Sequence, residues 1–172
     1  MCRVCRRLSP HLNWVRAPFA YAGAARTAVL NLKFRSGRYL APLMGNLLGA
    51  WLTGAEVDVI VPVPLSPRRL RERGFSQALL LGEHVSSALH VPIATDVLTR
   101  IDRPSQHTLT ASKRLGNLAG AFTCQEPDQV RNARVLLVDD VVTTGATASA
   151  CADTLAAAGA RHVSVLAFAR DL

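Results

Sequence analysis

The chain has 172 residues, 49% of them apolar, enough for one globular domain with a real core and a small appendage. It contains no run of about 18 uninterrupted apolar residues, so no membrane span is expected; the charged N-terminus "MCRVCRRLSPHLNW" has no apolar stretch behind it, which argues against a signal peptide and for a cytoplasmic location. Lys and Arg outnumber Asp and Glu by 20 to 12, and the net charge of +8 suits anionic partners such as phosphorylated metabolites or nucleic acid, although a merely basic surface would give the same balance.

In chain order, residues 1–19 are short, basic and cysteine-bearing. Residues 20–54 hold "AARTAVLNLKF" and "YLAPLMGNLLGAWL", whose apolar residues fall at helical spacing, with Gly37 and Pro42 as punctuation. Residues 55–172 alternate strands and helices. The β-branched run "VDVIVPVPL" predicts a strand over 57–65, and "QALLLGEHVSSAL" a helix over 77–89. A second strand is expected near 97–101, and a third at 121–124 after a helical turn or loop. "ARVLLVDD" is the clearest strand. "TASACADTLAAAG" reads as a helix with Gly159 as its C′ residue, and "HVSVLAFA" is the last strand. Strands that are apolar throughout and separated by helices are buried on both faces, which implies an α/β fold with an open, mostly parallel sheet flanked by helices.

The stretch "VLLVDDVVTTGAT" places two carboxylates, Asp139 and Asp140, at the carboxyl end of a strand, where open parallel sheets bind ligands. The next helix should begin near Ala146 or Thr147. Its first N–H groups and its dipole favour an anion there; Thr143, Thr144 and Thr147 add hydroxyl donors, and Gly145 admits a close backbone approach. This is a phosphate cradle, yet neither Gly-Lys-Ser/Thr nor G-x-G-x-x-G is present. Carboxylates do not hold phosphate. They accept hydrogen bonds from sugar hydroxyls and can help to hold Mg²⁺. A ligand with a terminal phosphate near a vicinal diol would use both halves. The plainer alternative is a charge pair in a surface turn ahead of a helix.

The same stretch resembles the phosphoribosyl pyrophosphate (PRPP) motif of type I phosphoribosyltransferases. "LKFRSGRYLAPLMGNLL", "VDVIVPVPLSPRRLRERGFSQALLL", "RPSQHTLTASKRLGNLAGAF" and that motif occur in the order of the ComF/GntX competence-protein family. "RERGFSQA" departs from the family's R-G-F-N-Q-A by Ser76 in place of Asn. The resemblance implies a type I phosphoribosyltransferase-like fold, with Asp139 and Asp140 on the ribose and Thr143, Thr144, Gly145, Ala146 and Thr147 on the 5′-phosphate. Arg68, Arg69 and Arg73 would meet the pyrophosphate, with Arg71 as a further cation and Arg73 the foremost; arginine's planar fork suits phosphate oxygens, while pairing with Glu72 is the alternative. A closing loop, "RIDRPSQHTLTASKRLGN", would bring Lys113 and Arg114 to the reacting centre, beside Arg103, Gln106 and Asn117; His107 is a candidate proton handler. Mg²⁺, held in part by Asp139 and Asp140, is the implied cofactor.

Relatives in this family carry a Cys-rich zinc module ahead of the linker. Cys2 and Cys5 match its last C-x-x-C pair, so 1–19 is expected to be a truncated remnant with at most a partial zinc site; His11 is a possible third ligand, and Cys124 and Cys151 are expected in core elements. Three functions stay open: a Mg²⁺-dependent phosphoribosyltransferase linked to DNA uptake or utilisation, a non-catalytic module binding PRPP or single-stranded DNA beside a competence helicase, and a sensor of nucleotide pools. Only 5% of residues are aromatic, with no interleaved stacking pattern, which weighs against a dedicated single-strand platform. The acceptor of any ribosyl transfer is not legible.

Overall fold

Every position from Val135 to Val138 is apolar, and all four side chains are buried. A strand buries consecutive residues only when both faces of its sheet are covered. The computed structural model, which describes residues 8–52, 54–101, 118 and 120–171, has that arrangement. Its elements are β1 (Leu12–Arg16), β2 (Phe19–Ala20), α1 (Gly23–Leu32), α2 (Leu40–Trp51), β3 (Val59–Pro62), α3 (Pro67–Arg73), α4 (Gln77–Leu89), β4 (Leu98–Arg100), β5 (Phe122–Cys124), β6 (Arg134–Val142), α5 (Ala146–Ala157) and β7 (His162–Arg170). The main sheet runs β1-β7-β6-β3, with β2 also on β7, and every pair in it is parallel.

Alternate side chains of each strand enter opposite cores. Val59, Val61, Val135, Leu137, Val163 and Val165 pack with Ala148, Cys151, Ala152 and Leu155 of α5. Ile60, Leu136, Val138 and Leu166 pack with residues of α1, α2 and α4, among them Leu32, Met44, Leu48, Leu81 and Val85. Each fully buried aliphatic side chain contributes roughly 1.5–3 kcal/mol. The expected α/β architecture with a mostly parallel sheet is therefore present. No helix among the described residues is long and apolar enough to cross a membrane.

Four local expectations change. The 57–65 strand shortens to Val59–Pro62, since Pro62 and Pro64 have no N–H for a ladder; Val63 N–H still reaches the Val138 carbonyl at 2.9 Å. The strands near 97–101 and 121–124 leave the parallel sheet and form their own antiparallel pair, with Leu98 opposite Cys124. Their burial alternates, as suits a ladder with one face covered. β1 and β2, which the sequence reading did not contain, join the main sheet from within 1–19 and just beyond. "LNWVR" mixes polar and apolar residues because it is an edge strand, only half covered. α3 also escaped notice, since PRRLRER has no apolar face; Ser66 caps it by accepting the Arg69 N–H, and Pro67 follows.

Candidate ligand site at the carboxyl ends of β3 and β6

β6 carries Asp139 and Asp140 out of the core and continues to Val142. The chain then turns through Thr143 and Thr144 to Gly145, whose φ of +76° lies in the left-handed region where a side chain is strained. α5 starts directly at Ala146, and no side chain caps it at Gly145. Thr144 Oγ1 accepts the Ala146 N–H at a long 3.4 Å. The helix end thus presents first-turn N–H donors and a positive dipole. Thr143 is exposed, and Thr144 and Thr147 are half-buried beside it. At the far end, Ala158 ends α5 and Gly159 follows at φ +94°, the C′ position expected for it.

The carboxylate pair is unequal. Asp139 Oδ1 accepts the Asp140 N–H at 2.8 Å. Burial, and then the Asp140 charge, push the Asp139 carboxyl well above the usual carboxylate range; the Lys33 charge works the other way. Lys33, at the C-terminus of α1, places Nζ 3.5 Å from Asp140 Oδ2. Lys33 lies in "LKFRSGR", a stretch that gives it no role by itself. Nothing local links it to an aspartate so far along the chain; only the packing of α1 over the sheet does.

Beyond the end of β3, α3, Gly74 and Phe75 lead into α4. Arg73 Nη1 donates to Gln77 Oε1 at 2.7 Å. Gln77 is 2% exposed, and among the described residues its Nε2 has no hydrogen-bond acceptor. The Arg38 guanidinium lies 5.1 Å from the centre of the Phe75 ring, so the segment after α1 reaches the same turn. The arginines differ. Arg68 is exposed and pairs with Glu72 at 3.3 Å, the alternative foreseen for one of this group. Arg69 is also exposed, whereas Arg73 is partly buried and oriented by Gln77. Lys113, Arg114, Arg103, Gln106, His107 and Asn117 lie outside the described residues, as do Cys2 and Cys5.

Among the described residues, no group of three or more His, Cys, Asp and Glu could hold a metal. Asp139 and Asp140 offer two carboxylates beside the N-terminus of α5. That donor set suits a Mg²⁺ that takes its remaining ligands from phosphate oxygens and water. Cys151 is buried in α5 and Cys124 half-buried in β5, as expected of core cysteines.

The chain's N-terminal part also touches this loop. Leu8 lies against Gly145, so that a Cβ there would overlap Leu8 Cδ2. Ser9 N–H donates to Ser149 Oγ at 3.0 Å, and Ser9 Oγ donates to Asp153 Oδ1.

Residues 76–171 match the family model described as "Phosphoribosyl transferase domain". The chain is 34% identical over 179 aligned residues to the DNA utilization protein YhgH of Escherichia coli K12, covering 99% of this chain and 78% of that protein. It is 35% identical to Competence protein F of Haemophilus influenzae over 66% of this chain and 50% of that one. With Competence protein ComFC of Bacillus subtilis the identity is 28%, over 86% and 62%. Among solved structures, the glutamine PRPP amidotransferase of B. subtilis, complexed with ADP and GMP, shares the fold with a TM-score of 0.52 at 20% identity, over 75% of this chain and 26% of that one. The sheet, the motif order and these relatives agree: the chain belongs to the ComF family and carries its phosphoribosyl transferase domain.

Proposed function

We propose that the chain binds PRPP with Mg²⁺ at the carboxyl ends of β3 and β6 and acts as a phosphoribosyltransferase. The observation that carries this reading is the direct succession of Asp139 and Asp140, the turn at Thr143 and Thr144, and an α5 N-terminus that begins at a left-handed glycine. Asp139 and Asp140 accept hydrogen bonds from the ribose hydroxyls. The first N–H groups of α5, with Thr143, Thr144 and Thr147, hold the 5′-phosphate. Lys33 tempers the carboxylate pair, so that a phosphorylated ligand is not repelled from the sugar site.

Arg73, held by Gln77, meets the pyrophosphate, with Arg69 as a second cation. Mg²⁺ when bound supplies charge neutralisation for the departing pyrophosphate. The chain's part is to orient the ribose so that the C1–O bond to pyrophosphate faces the cations while an acceptor reaches C1 from the other side. The net charge of +8 and the relatives' names, DNA utilization and competence, support a further role with DNA, for which single-stranded DNA and a competence helicase are the proposed partners. A linear fall of log affinity for single-stranded DNA with log salt concentration tests that association.

The primary test is thermal. PRPP with Mg²⁺ at about 100 times Kd should stabilise the fold by ~2.7 kcal/mol. For a chain of this length that is roughly 5–11 °C in Tm. Asp139→Asn with Asp140→Asn should abolish the shift, and Arg73→Ala should reduce it more than Arg68→Ala. An unmutated protein whose Tm ignores PRPP refutes the proposal. Pyrophosphate release, measured across nucleobases and other amines, then identifies the acceptor; binding without release with any acceptor would leave a PRPP-binding module.

A further inference from the structure

α2 is a surface helix without a charge. Leu40–Trp51 contains no Asp, Glu, Lys or Arg, on a chain with 32 such residues. Its inner side, Ala41, Met44, Gly45, Leu48 and Gly49, is buried. Its outer side is exposed and almost wholly apolar: with the preceding Tyr39, the large residues there are 73% (Tyr39), 61% (Leu43), 43% (Leu47) and 48% (Trp51) exposed. These four recur every fourth residue along one stripe. Pro42, Asn46 and Ala50 lie exposed between them, and Asn46 is the one polar side chain of the helix.

The stripe cannot turn inward. A Cβ at Gly45 would overlap His84 Cβ, and one at Gly49 would overlap Ala88 Cβ, so α2 is seated on α4 at glycine distance and in one rotation. The outer face is therefore presented rigidly, and docking on it costs little ordering entropy.

We propose that this face is where a second copy of the chain docks, α2 against α2, antiparallel about a two-fold axis passing near Asn46 and Leu47. Three features favour a second copy over another occupant. The first is shape. In that arrangement Leu43 meets the second copy's Ala50, and Trp51 meets the second copy's Pro42, so large faces small at each level. The second is chemistry. Of the two residues beside the axis, Asn46 is an amide, which both donates and accepts and so can pair with its own image; an Asp or Lys there would repel itself. A neutral face is also what lets two chains of net charge +8 meet, whereas an anionic partner would select cations. The third is area. The stripe and the residues between its members expose roughly 600 Å². That is the greater part of the ~800 Å² per partner of a standard interface, so the dimer is a dissociating one.

Sedimentation velocity across a wide concentration series tests this on the full chain. The mass should rise with concentration from 18.5 kDa toward twice that value. Leu43→Glu with Leu47→Glu should hold it at one chain with the dilute-limit Tm unchanged, since both side chains already face solvent. Asn46→Asp, nearly isosteric, should weaken the dimer at neutral pH and restore it in acid. A wild type that stays monomeric at every concentration overturns the proposal. So does a dimer that survives the double substitution. So does a monomer that co-sediments with zwitterionic vesicles through this stripe, which would assign the face to a lipid surface.

Discussion

Gly145 joins the turn after β6 to α5, and replacing it with alanine is the sharpest perturbation of the site's architecture. Two costs follow. At φ +76° a side chain is in the left-handed region, worth ~1–2 kcal/mol. The new Cβ also meets Leu8 Cδ2. Overpacking costs ~1–3 kcal/mol, and the low end applies because the obstacle is the tip of a half-buried side chain. Together Gly145→Ala should lose about 2–3 kcal/mol, or roughly 4–12 °C in Tm for a chain of this size. The two costs separate experimentally. Adding Leu8→Ala removes the clash and leaves the backbone strain, so the double variant should be more stable than the sum of the single effects by about 1 kcal/mol. Denaturant melts of the four proteins measure this coupling. A Gly145→Ala variant within ~0.5 kcal/mol of wild type, or zero coupling with Leu8, refutes the reasoning, because the turn would then have neither the backbone conformation nor the neighbour assigned to it.

Two more outcomes concern titration. Asp139 has a raised pKa in the fold, so between its unfolded and folded values the unfolded chain holds fewer protons, and stability falls as pH rises through that window. Asp139→Asn has no charge to bury and keeps the acceptor for the Asp140 N–H. It should melt higher than wild type at neutral pH, with the gap closing toward pH 4, while the response to PRPP disappears; a lower melt at neutral pH contradicts this. Asp58 has the opposite sign. Hydrogen bonds from Arg134, at 2.7 Å from its N–H and from Nη2, hold Asp58 at about 2 against an ordinary 3.8. Its contribution is present above pH 4 and lost as pH falls from 4 to 2. Since Asp58 is 42% exposed, Asp58→Asn should cost no more than ~1 kcal/mol at neutral pH and flatten the acid limb of the stability curve; an unchanged limb argues against the pairing.

The elements that were legible are those whose sequence has one period and one environment. Val135 to Val138 are apolar because both sheet faces are covered, and the strand was found on that basis. α5 announced itself through small residues between a left-handed glycine and Gly159. β1 was not legible: at the sheet edge its burial is partial, and "LNWVR" carries no alternation. α3 was missed because neither face of PRRLRER is buried, although Ser66 and Pro67 form a start signal that could have been read. The carboxylates and the cradle were legible because they are contiguous. Lys33 and Gln77 were not. The first gains its meaning from Asp140 across the fold, the second from a buried amide nitrogen whose environment only packing creates.

Ser9 and Leu8 fasten the start of the described chain to α5, Ser9 through Ser149 and Asp153, Leu8 against Gly145 itself. Anything joined ahead of residue 8 thus pulls on a tether whose other end is the start of α5. A purification tag or fusion partner placed there is mechanically connected to the turn between β6 and α5, and its removal is a controlled way to alter the load on that turn. The C-terminal end is linked to the same turn from its other side. Arg170 ends β7 against β2 and Val142, and Asp171 N–H donates to the Val142 carbonyl at 2.9 Å, so an attachment after residue 171 pulls on the end of β6 that enters the turn.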